Sequence, residues 1–473
     1  MKKKAVQNKE SIRRFFDRIA GQRARWRKRS RHYYRSLETY FSFIIPPGSR
    51  VLEIGCGTGE LLNAVKPGYG AGVDFSPPMI DLAREKFPQL RFDVQDAENL
   101  NFGETFDYII MSDLVGSLWD ISRAFQSLSG VSHPRTRVVI SYYNYLWEPA
   151  LKLAEILRLK MKQPHQNWLH PRDIDNLLEL VGFERIKIMR KLLLPKRIPL
   201  LNVIFNRILA NLPLINRLCL TYIIVARPRL ETGNHHSVSI VIPARNEKGN
   251  IEELISRTPD FGKSQEFIFI EGHSRDRTFD EILRVQKKYN NRNIRALRQT
   301  GKGKGNAVRE AFDKARGDIL MILDADLSVP PEDLPKFYEA LRLNRGEFIN
   351  GSRLVYQMDE HAMRFLNILG NRFFAALFSF LLGQRIKDTL CGTKVLLRTD
   401  YEKIKRNRSY FGDFDPFGDF DLIFGSAKLN LKIIEVPIRY RERTYGSTQI
   451  SRFSHGWLLI RMGLIAARKL KFF

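Results

Sequence analysis

Apolar residues along this chain gather in short runs, and between the runs they recur every three or four positions. Short apolar runs bounded by Gly, Pro, Asn or Asp read as buried strands, and the longer-period spacing reads as amphipathic helix. In the first half the runs predict strands at Val51–Ile54, Gly70–Val73, Leu90–Asp93, Phe106–Met111 and Val138–Tyr142, with helical stretches such as PPMIDLAREKF between them. In the second half VSIVIPA, EFIFIEG, IRALRQ, DILMILDAD and KIIEVPIRY repeat the alternation. Strands alternating with helices of this length predict doubly wound sheets, so the expected fold class is α/β in two domains. The pattern breaks at VARPRLETGNHHSVS. This places a first domain at 1–228, a linker at 229–236 and a second domain at 237–473. Two apolar, basic helical segments, 361–384 and 453–473, have no place in such sheets.

Length supports the division, since 473 residues exceed what one core comfortably serves. With 44% hydrophobic and 27% charged residues the chain has a globular composition. The longest apolar stretches, such as FFAALFSFLLGQ, fall short of a membrane span, and MKKKAVQNKESIRRFF lacks the apolar core of a secretory signal. Cys56, Cys219 and Cys391 stand far apart, with neither metal-ligand spacing nor a disulfide framework. A cytoplasmic chain is expected.

Charge changes the picture. The net charge is +27, and it is concentrated. Residues 1–36 hold fourteen Lys/Arg against Glu10 and Asp17, with Trp26, Tyr33 and Tyr34 interleaved. That composition suits nucleic acid or an anionic membrane. Residues 185–230 hold ten Lys/Arg and no acid, except that here the cations are mixed with IPLLNVIFN and LCLTYIIVA. Aliphatic surface with cations favours a membrane interface over nucleic acid, so nucleic acid is not the expected partner. The expected location is the inner face of the cell membrane, held peripherally.

The sharpest motif in the first half is VLEIGCGTGE, a strand running through Gly55, Gly57 and Gly59 into a helix. Glycines there permit a tight turn and a close approach of backbone N–H groups to a ligand. The following strand ends at Asp74, where a carboxylate can accept ribose hydroxyls, and the third is followed by Asp96. A nicotinamide dehydrogenase shares strand, turn and acid. Glu53 followed by three spaced glycines, with acids after strands two and three, instead resembles the class I S-adenosylmethionine-dependent methyltransferases. The resemblance implies a Rossmann-like sheet and binding of S-adenosylmethionine by Glu53, Gly55, Gly57, Gly59, Asp74 and Asp96. The methyl acceptor is open. An oxygen acceptor needs a base, for which His133, Asp113 and His170 are candidates. MSDLVGSLWD stands where amino-methylating enzymes carry N/D-P-P-Y/F, which speaks against DNA methylation.

In the second half a buried strand closes on Asp324-Ala325-Asp326. Two carboxylates one residue apart at a strand end suit Mg²⁺ or Mn²⁺ shared with two phosphates. Asn246 and Glu247 end one strand, Glu271 another, and Lys304 opens a helix behind glycines, all suited to a nucleotide. These residues resemble family 2 glycosyltransferases of the GT-A fold over about 237–450, and within them polyprenyl- or dolichyl-phosphate sugar synthases. The likeness extends to DTLCGTK (388–394), to GDFDL with Asp419 and Asp421, and to RYRERTYGSTQISR with Arg443 and Tyr445–Thr448. It implies a nucleotide-sugar donor held by Pro243, Asn246, Glu247, Glu271, Lys304, Asp324 and Arg443, and a metal on Asp324 and Asp326. It also implies Asp326, Asp419 and Asp421 as catalytic residues and a polyprenyl phosphate as acceptor. EGHS replaces the family's D-D-x-S, which leaves the nucleobase open.

The leading expectation is thus a bifunctional transferase. Two alternatives stand beside it: transfer of the sugar to a glycan or glycolipid hydroxyl, for which Asp419 or Asp421 would take the proton, and a basic binding protein with one degenerate domain.

Overall fold

The computed structural model describes residues 9–163, 166–230, 233–356, 365–411, 420–440, 445 and 452–472. The chain divides into two compact units after Leu230.

The first unit is built on β1 (Arg50–Ile54), β2 (Tyr69–Asp74), β3 (Arg91–Val94), β4 (Phe106–Ser112), β5 (Ser132–Tyr143), β6 (Phe183–Lys191) and β7 (Thr221–Pro228). Their order across the sheet is β3-β2-β1-β4-β5-β7-β6. The first five are parallel, whereas β7 runs antiparallel to both β5 and β6. Val138, Val139 and Ile140 are all fully buried, as expected of a strand covered on both faces. Three helices precede the sheet: α1 (Lys9–Ile19), α2 (Arg23–Arg29) and α3 (Arg31–Ile44). In α1, Ile12, Phe15, Phe16 and Ile19 follow helical spacing, and three of them pack with Met79 and Leu82 on the helix Pro77–Lys86. From Lys9 onward the basic N-terminal stretch therefore takes part in this unit's packing.

The stretch 185–230 is corrected in part. Most of its two ends forms β6, a half-buried edge strand, and β7, which is buried throughout inside the sheet. Arg227 is fully buried and donates to Glu184 at 2.8 and 2.9 Å, and Lys191 donates to Asn211 at 2.9 Å. The excursion between the two strands stays exposed.

The second unit carries β8 (Ser237–Ala244), β9 (Ser264–Glu271), β10 (Asn293–Arg298), β11 (Ile319–Ile322), β12 (Phe348–Ser352), β13 (Lys394–Leu397) and β14 (Ile433–Pro437). The order is β10-β9-β8-β11-β13-β12-β14. β10, β9, β8 and β11 are parallel, and β13 enters antiparallel to β11 and β12. The core gathers Ile240, Ile242, Phe267, Phe269, Ile319 and Met321, each at most 1% exposed. The segments outside the sheet pattern include the helices Phe365–Leu382 and Arg452–Ala466. Among the described residues no helix is long and apolar enough to cross a membrane.

In each unit the strand order reverses about one central pair, β1/β4 in the first and β8/β11 in the second. Ligands in open α/β sheets bind outside the carboxyl ends of strands at such reversals.

Candidate active sites

In the first unit, β1 delivers Gly55, Gly57 and Gly59 to the reversal point with φ of 72°, 52° and 79°. A Cβ at Gly57 would lie 2.9 Å from Nε of Arg23, so a side chain there meets a strained backbone angle and has to push the flexible guanidinium aside. The Gly57 N–H donates to Asp74 Oδ2 at 2.9 Å and the Ser76 N–H to Oδ1 at 3.0 Å, so the acid at the end of β2 shapes the glycine turn. Glu53 is buried and accepts the Leu62 N–H at 2.9 Å, tying β1 to the helix Glu60–Ala64. Burial pushes its carboxyl up to about 8. Asp96, after β3, pairs with Lys9 of α1, which also reaches Glu98 at 2.6 Å.

Glu53, Gly55, Gly57, Asp74, Asp96 and Glu98 line a cavity of about 150 Å³, whereas Gly59 does not. Its cover comes from the N-terminal helices: Lys9, Ile12 and Phe16 from α1, Arg23 and Arg27 from α2, Tyr34 and Leu37 from α3. Burial works against the Arg23 charge, but Tyr34, Asp74, Glu60 and Glu53 outweigh it and hold the guanidinium's pKa up. Sequence reasoning missed this cover. The apolar spacing of 12, 15, 16 and 19 was the available signal.

Of the three candidate bases, only Asp113 lines the cavity. It follows β4 with φ 53°, and the Tyr33 hydroxyl donates to its two oxygens at 2.9 and 2.8 Å. Burial raises its pKa to about 6, against the opposing pull of Tyr33 and Ser141. His133 sits at the start of β5, the far end of the sheet, 3.4 Å from Asp107. His170 caps the helix Pro171–Leu180, its Nδ1 accepting the Arg172 N–H at 3.2 Å. Those two serve structure.

In the second unit, β11 points Asp324 and Asp326 to the reversal point. Lys304, first residue of the helix Lys304–Lys314, reaches Asp324 Oδ1 at 2.6 Å. Gly392 closes on the same pair: a Cβ there would lie 2.0 Å from Asp324 Oδ2 and 2.7 Å from Lys304 Nζ. Asp326 is 5% exposed and accepts the Ser328 N–H at 3.0 Å and its hydroxyl at 2.6 Å. Among the described residues no three His, Cys, Asp or Glu gather as a self-sufficient metal cluster. Two carboxylates fit a hard divalent ion only when a ligand's phosphates complete its shell.

The loops after β8 and β9 are laced together. Asn246, at φ 57°, accepts the Arg275 N–H at 2.8 Å and donates its own to Ser274 Oγ at 3.0 Å. Glu247 donates its N–H to Thr278 at 3.0 Å and accepts Asn250 at 2.7 Å. Buried Glu271 accepts the Ser274 N–H, and Pro243 is half-buried in β8. Tyr445 lies against Gly249, which brings the tail back to the β8 loop. Arg443, Asp419 and residues 446–448 lie outside the described residues. Asp421 is gripped by Arg309 at 3.1 Å and Arg408 at 3.2 Å. Asp388 forms a forked pair with Arg353 at 2.7 and 2.8 Å, and that guanidinium holds the buried carboxyl down at about 2 against desolvation. The sequence offered no sign of Arg353, Arg309 or Arg408.

Family models match each unit separately: a methyltransferase domain over residues 25–188 and glycosyl transferase family 2 over residues 239–405. The chain joins a methyltransferase domain to a family 2 glycosyltransferase domain. Relatives of the glycosyltransferase unit include a dolichol-phosphate mannosyltransferase of Pyrococcus furiosus, 38% identical over 25% of this chain and 33% of the relative. An undecaprenyl-phosphate 4-deoxy-4-formamido-L-arabinose transferase of Edwardsiella ictaluri is 25% identical over 45% of this chain and 62% of the relative. A dolichyl-phosphate beta-glucosyltransferase of Drosophila melanogaster is 29% identical over 50% of this chain and 76% of the relative. The chain thus spans less than two thirds of the first two. A solved methyltransferase from Thermotoga maritima covers 46% of this chain and is itself covered in full, at 17% identity and TM-score 0.37. Glucosyl-3-phosphoglycerate synthase from Mycobacterium tuberculosis covers 50% of this chain, with 80% of its own length matched, at 17% identity and TM-score 0.36.

Proposed function

We propose that the chain carries out two group transfers: methylation from S-adenosylmethionine in the first unit, and transfer of a sugar from a nucleotide-sugar to a polyprenyl phosphate in the second. The observation that carries the second is the Lys304–Asp324 pair under Gly392, one residue from Asp326, at the β8/β11 reversal. A cation and two carboxylates at that point suit a diphosphate and its counter-ion. The relatives named above for dolichol-phosphate and undecaprenyl-phosphate transfer supply the acceptor class.

In the methyltransferase unit the glycine turn and Asp74 receive the cofactor once Arg23 swings off Gly57. S-adenosylmethionine, when bound, would supply an electrophilic methyl group to the acceptor atom and leave as S-adenosylhomocysteine. Where the acceptor is a hydroxyl, Asp113 takes its proton, its own pKa raised by burial to about 6. In the glycosyltransferase unit Asp324 and Asp326 would hold Mg²⁺ or Mn²⁺, which neutralises the leaving diphosphate when bound. Lys304 moves from Asp324 to the phosphates. An acceptor phosphate oxygen attacks the anomeric carbon, and the bond to the nucleoside diphosphate breaks. Asp421 is already engaged with Arg309 and Arg408, and an acceptor phosphate, anionic beforehand, needs no base from it or from Asp419.

A polyprenyl acceptor requires a membrane surface. The excursion between β6 and β7 exposes Leu200 (82%), Leu201, Val203, Ile204, Phe205 and Ile208, with Lys196, Arg197 and Arg207 among them. Aliphatic side chains would enter the interface while each cation contributes about 1 kcal/mol against anionic lipid. The protein would act peripherally on the inner face.

One experiment tests this reading: sedimentation and sugar transfer with anionic vesicles containing polyprenyl phosphate and Mg²⁺ or Mn²⁺. The wild-type chain should sediment and transfer. Asp326→Asn should sediment equally and transfer about a hundredfold less or worse. Undiminished transfer by Asp326→Asn, or transfer unaffected by chelator, overturns the metal-dependent reading; failure to sediment at low salt overturns the membrane one.

A further inference from the structure

A second concavity of about 790 Å³ opens in the methyltransferase unit, lined by Arg25, Arg29, Lys152, Arg158, Lys160 and Lys162 around Trp26. Glu155 is its single acidic lining residue. Lys160 pairs with Glu155 at 2.6 Å, and Lys152 pairs with Glu148. Among the described residues Arg25, Arg158 and Lys162 form no ion pair. Six cations facing one another against two acids repel, and an anion with several oxygens relieves that repulsion.

The groove and the cofactor cavity share a wall. Helix α2 turns Arg23 and Arg27 to the cavity and Trp26 and Arg29 to the groove, as one-turn spacing demands. The chain at 160–163 alternates likewise: Met161 and Gln163 face the cavity, Lys160 and Lys162 the groove. Lys160 also spans the wall, its ammonium 5.6 Å from the ring centre of Tyr143, which lines the cavity beside Asp113. The positive charge of Lys160 reaches Asp113 as well.

We propose that this groove binds the methyl acceptor, and that the acceptor carries a phosphate or diphosphate group. The proposal rests on the methyltransferase reading. The phosphoryl oxygens lie among Arg25, Arg158 and Lys162, a flat or apolar portion covers the Trp26 face, and the group to be methylated passes Lys160 to reach Asp113 and Tyr33. The volume suits a single phosphorylated head group. It does not suit a polymer, whose backbone would need a long cationic track with several stacking faces.

The test is calorimetric titration of the full chain with inorganic pyrophosphate and, separately, with S-adenosylhomocysteine. Arg158→Ala/Lys162→Ala should weaken pyrophosphate binding at least tenfold and leave S-adenosylhomocysteine binding unchanged. Equal pyrophosphate affinity in wild type and double variant overturns the proposal. Absence of S-adenosylhomocysteine binding in the wild type would instead overturn the methyltransferase reading on which it rests. Two competitors then locate the phosphate's source: displacement by glucose 1-phosphate supports a free sugar phosphate, and displacement by vesicles bearing polyprenyl phosphate supports a lipid head group. Displacement by a short RNA at lower concentration than either overturns the proposal in favour of nucleic acid.

Discussion

The two units place their sites at the same topological point and treat particular buried carboxylates in opposite ways. In the methyltransferase unit Glu53 and Asp113 are buried under three helices, and burial raises both pKa values. Both groups hold their protons to higher pH than free carboxyls, so they add less negative charge to the cavity than free carboxylates would. In the glycosyltransferase unit Asp324 is met by an ammonium from a neighbouring helix, and Asp388 by a guanidinium that keeps it ionised. That arrangement favours a polyanion, which exchanges for the carboxylates as partner of the cations. One sheet topology thus gives its carboxylates two different environments, and the residues after the strands decide which.

The largest expected effect separates the units by stability. Asp388→Asn leaves Arg353 buried without its counter-charge, a change that typically costs about 3–5 kcal/mol. Calorimetry should show the glycosyltransferase transition falling while the methyltransferase transition stays in place. A loss below about 1 kcal/mol would mean that Asp388 is not what balances Arg353.

A smaller effect has the opposite sign in pH. Glu53 keeps its proton to about pH 8 in the folded unit, whereas the unfolded chain releases it near 4.5. The folded state binds more protons across that window, so stability falls as pH rises through it, by at most about 1.4 kcal/mol per unit for one group. Asp113 adds to the fall between about 3.8 and 6. Glu53→Gln should flatten the methyltransferase unit's profile between pH 6 and 8. Parallel slopes for the two chains would show that Glu53 does not carry this pH dependence.

The central strands of both units were legible in the sequence because strands covered on both faces read as continuous apolar runs. β1, β2, β4, β8, β9 and β11 fall within a few residues of their expected places. β6 and β7 were not legible as strands, since Lys187, Lys191 and Arg227 gave their segments the look of a basic surface. Partners supplied by the fold, Glu184 and Asn211 among them, let Arg227 and Lys191 be buried. β12 (FINGS) and β13 (KVLL) are too short to announce themselves. The glycine turn and the paired aspartates were legible because their chemistry is local. Arg23 over Gly57, Tyr33 on Asp113 and Arg353 on Asp388 join residues 34, 80 and 35 positions apart, and no local pattern encodes such meetings.

The central claim is that one chain holds two separate transferase sites, one at each strand reversal. Crossed binding tests it most directly: S-adenosylhomocysteine, and a nucleoside diphosphate with Mn²⁺, titrated into Gly57→Val and Asp324→Asn. The account predicts that Gly57→Val loses S-adenosylhomocysteine alone, because φ of 52° strains a β-branched residue and its side chain would fill the space above the glycine turn. It predicts that Asp324→Asn loses the nucleotide alone, each by a hundredfold or more. Either variant losing both ligands, or keeping both at wild-type affinity, would contradict it.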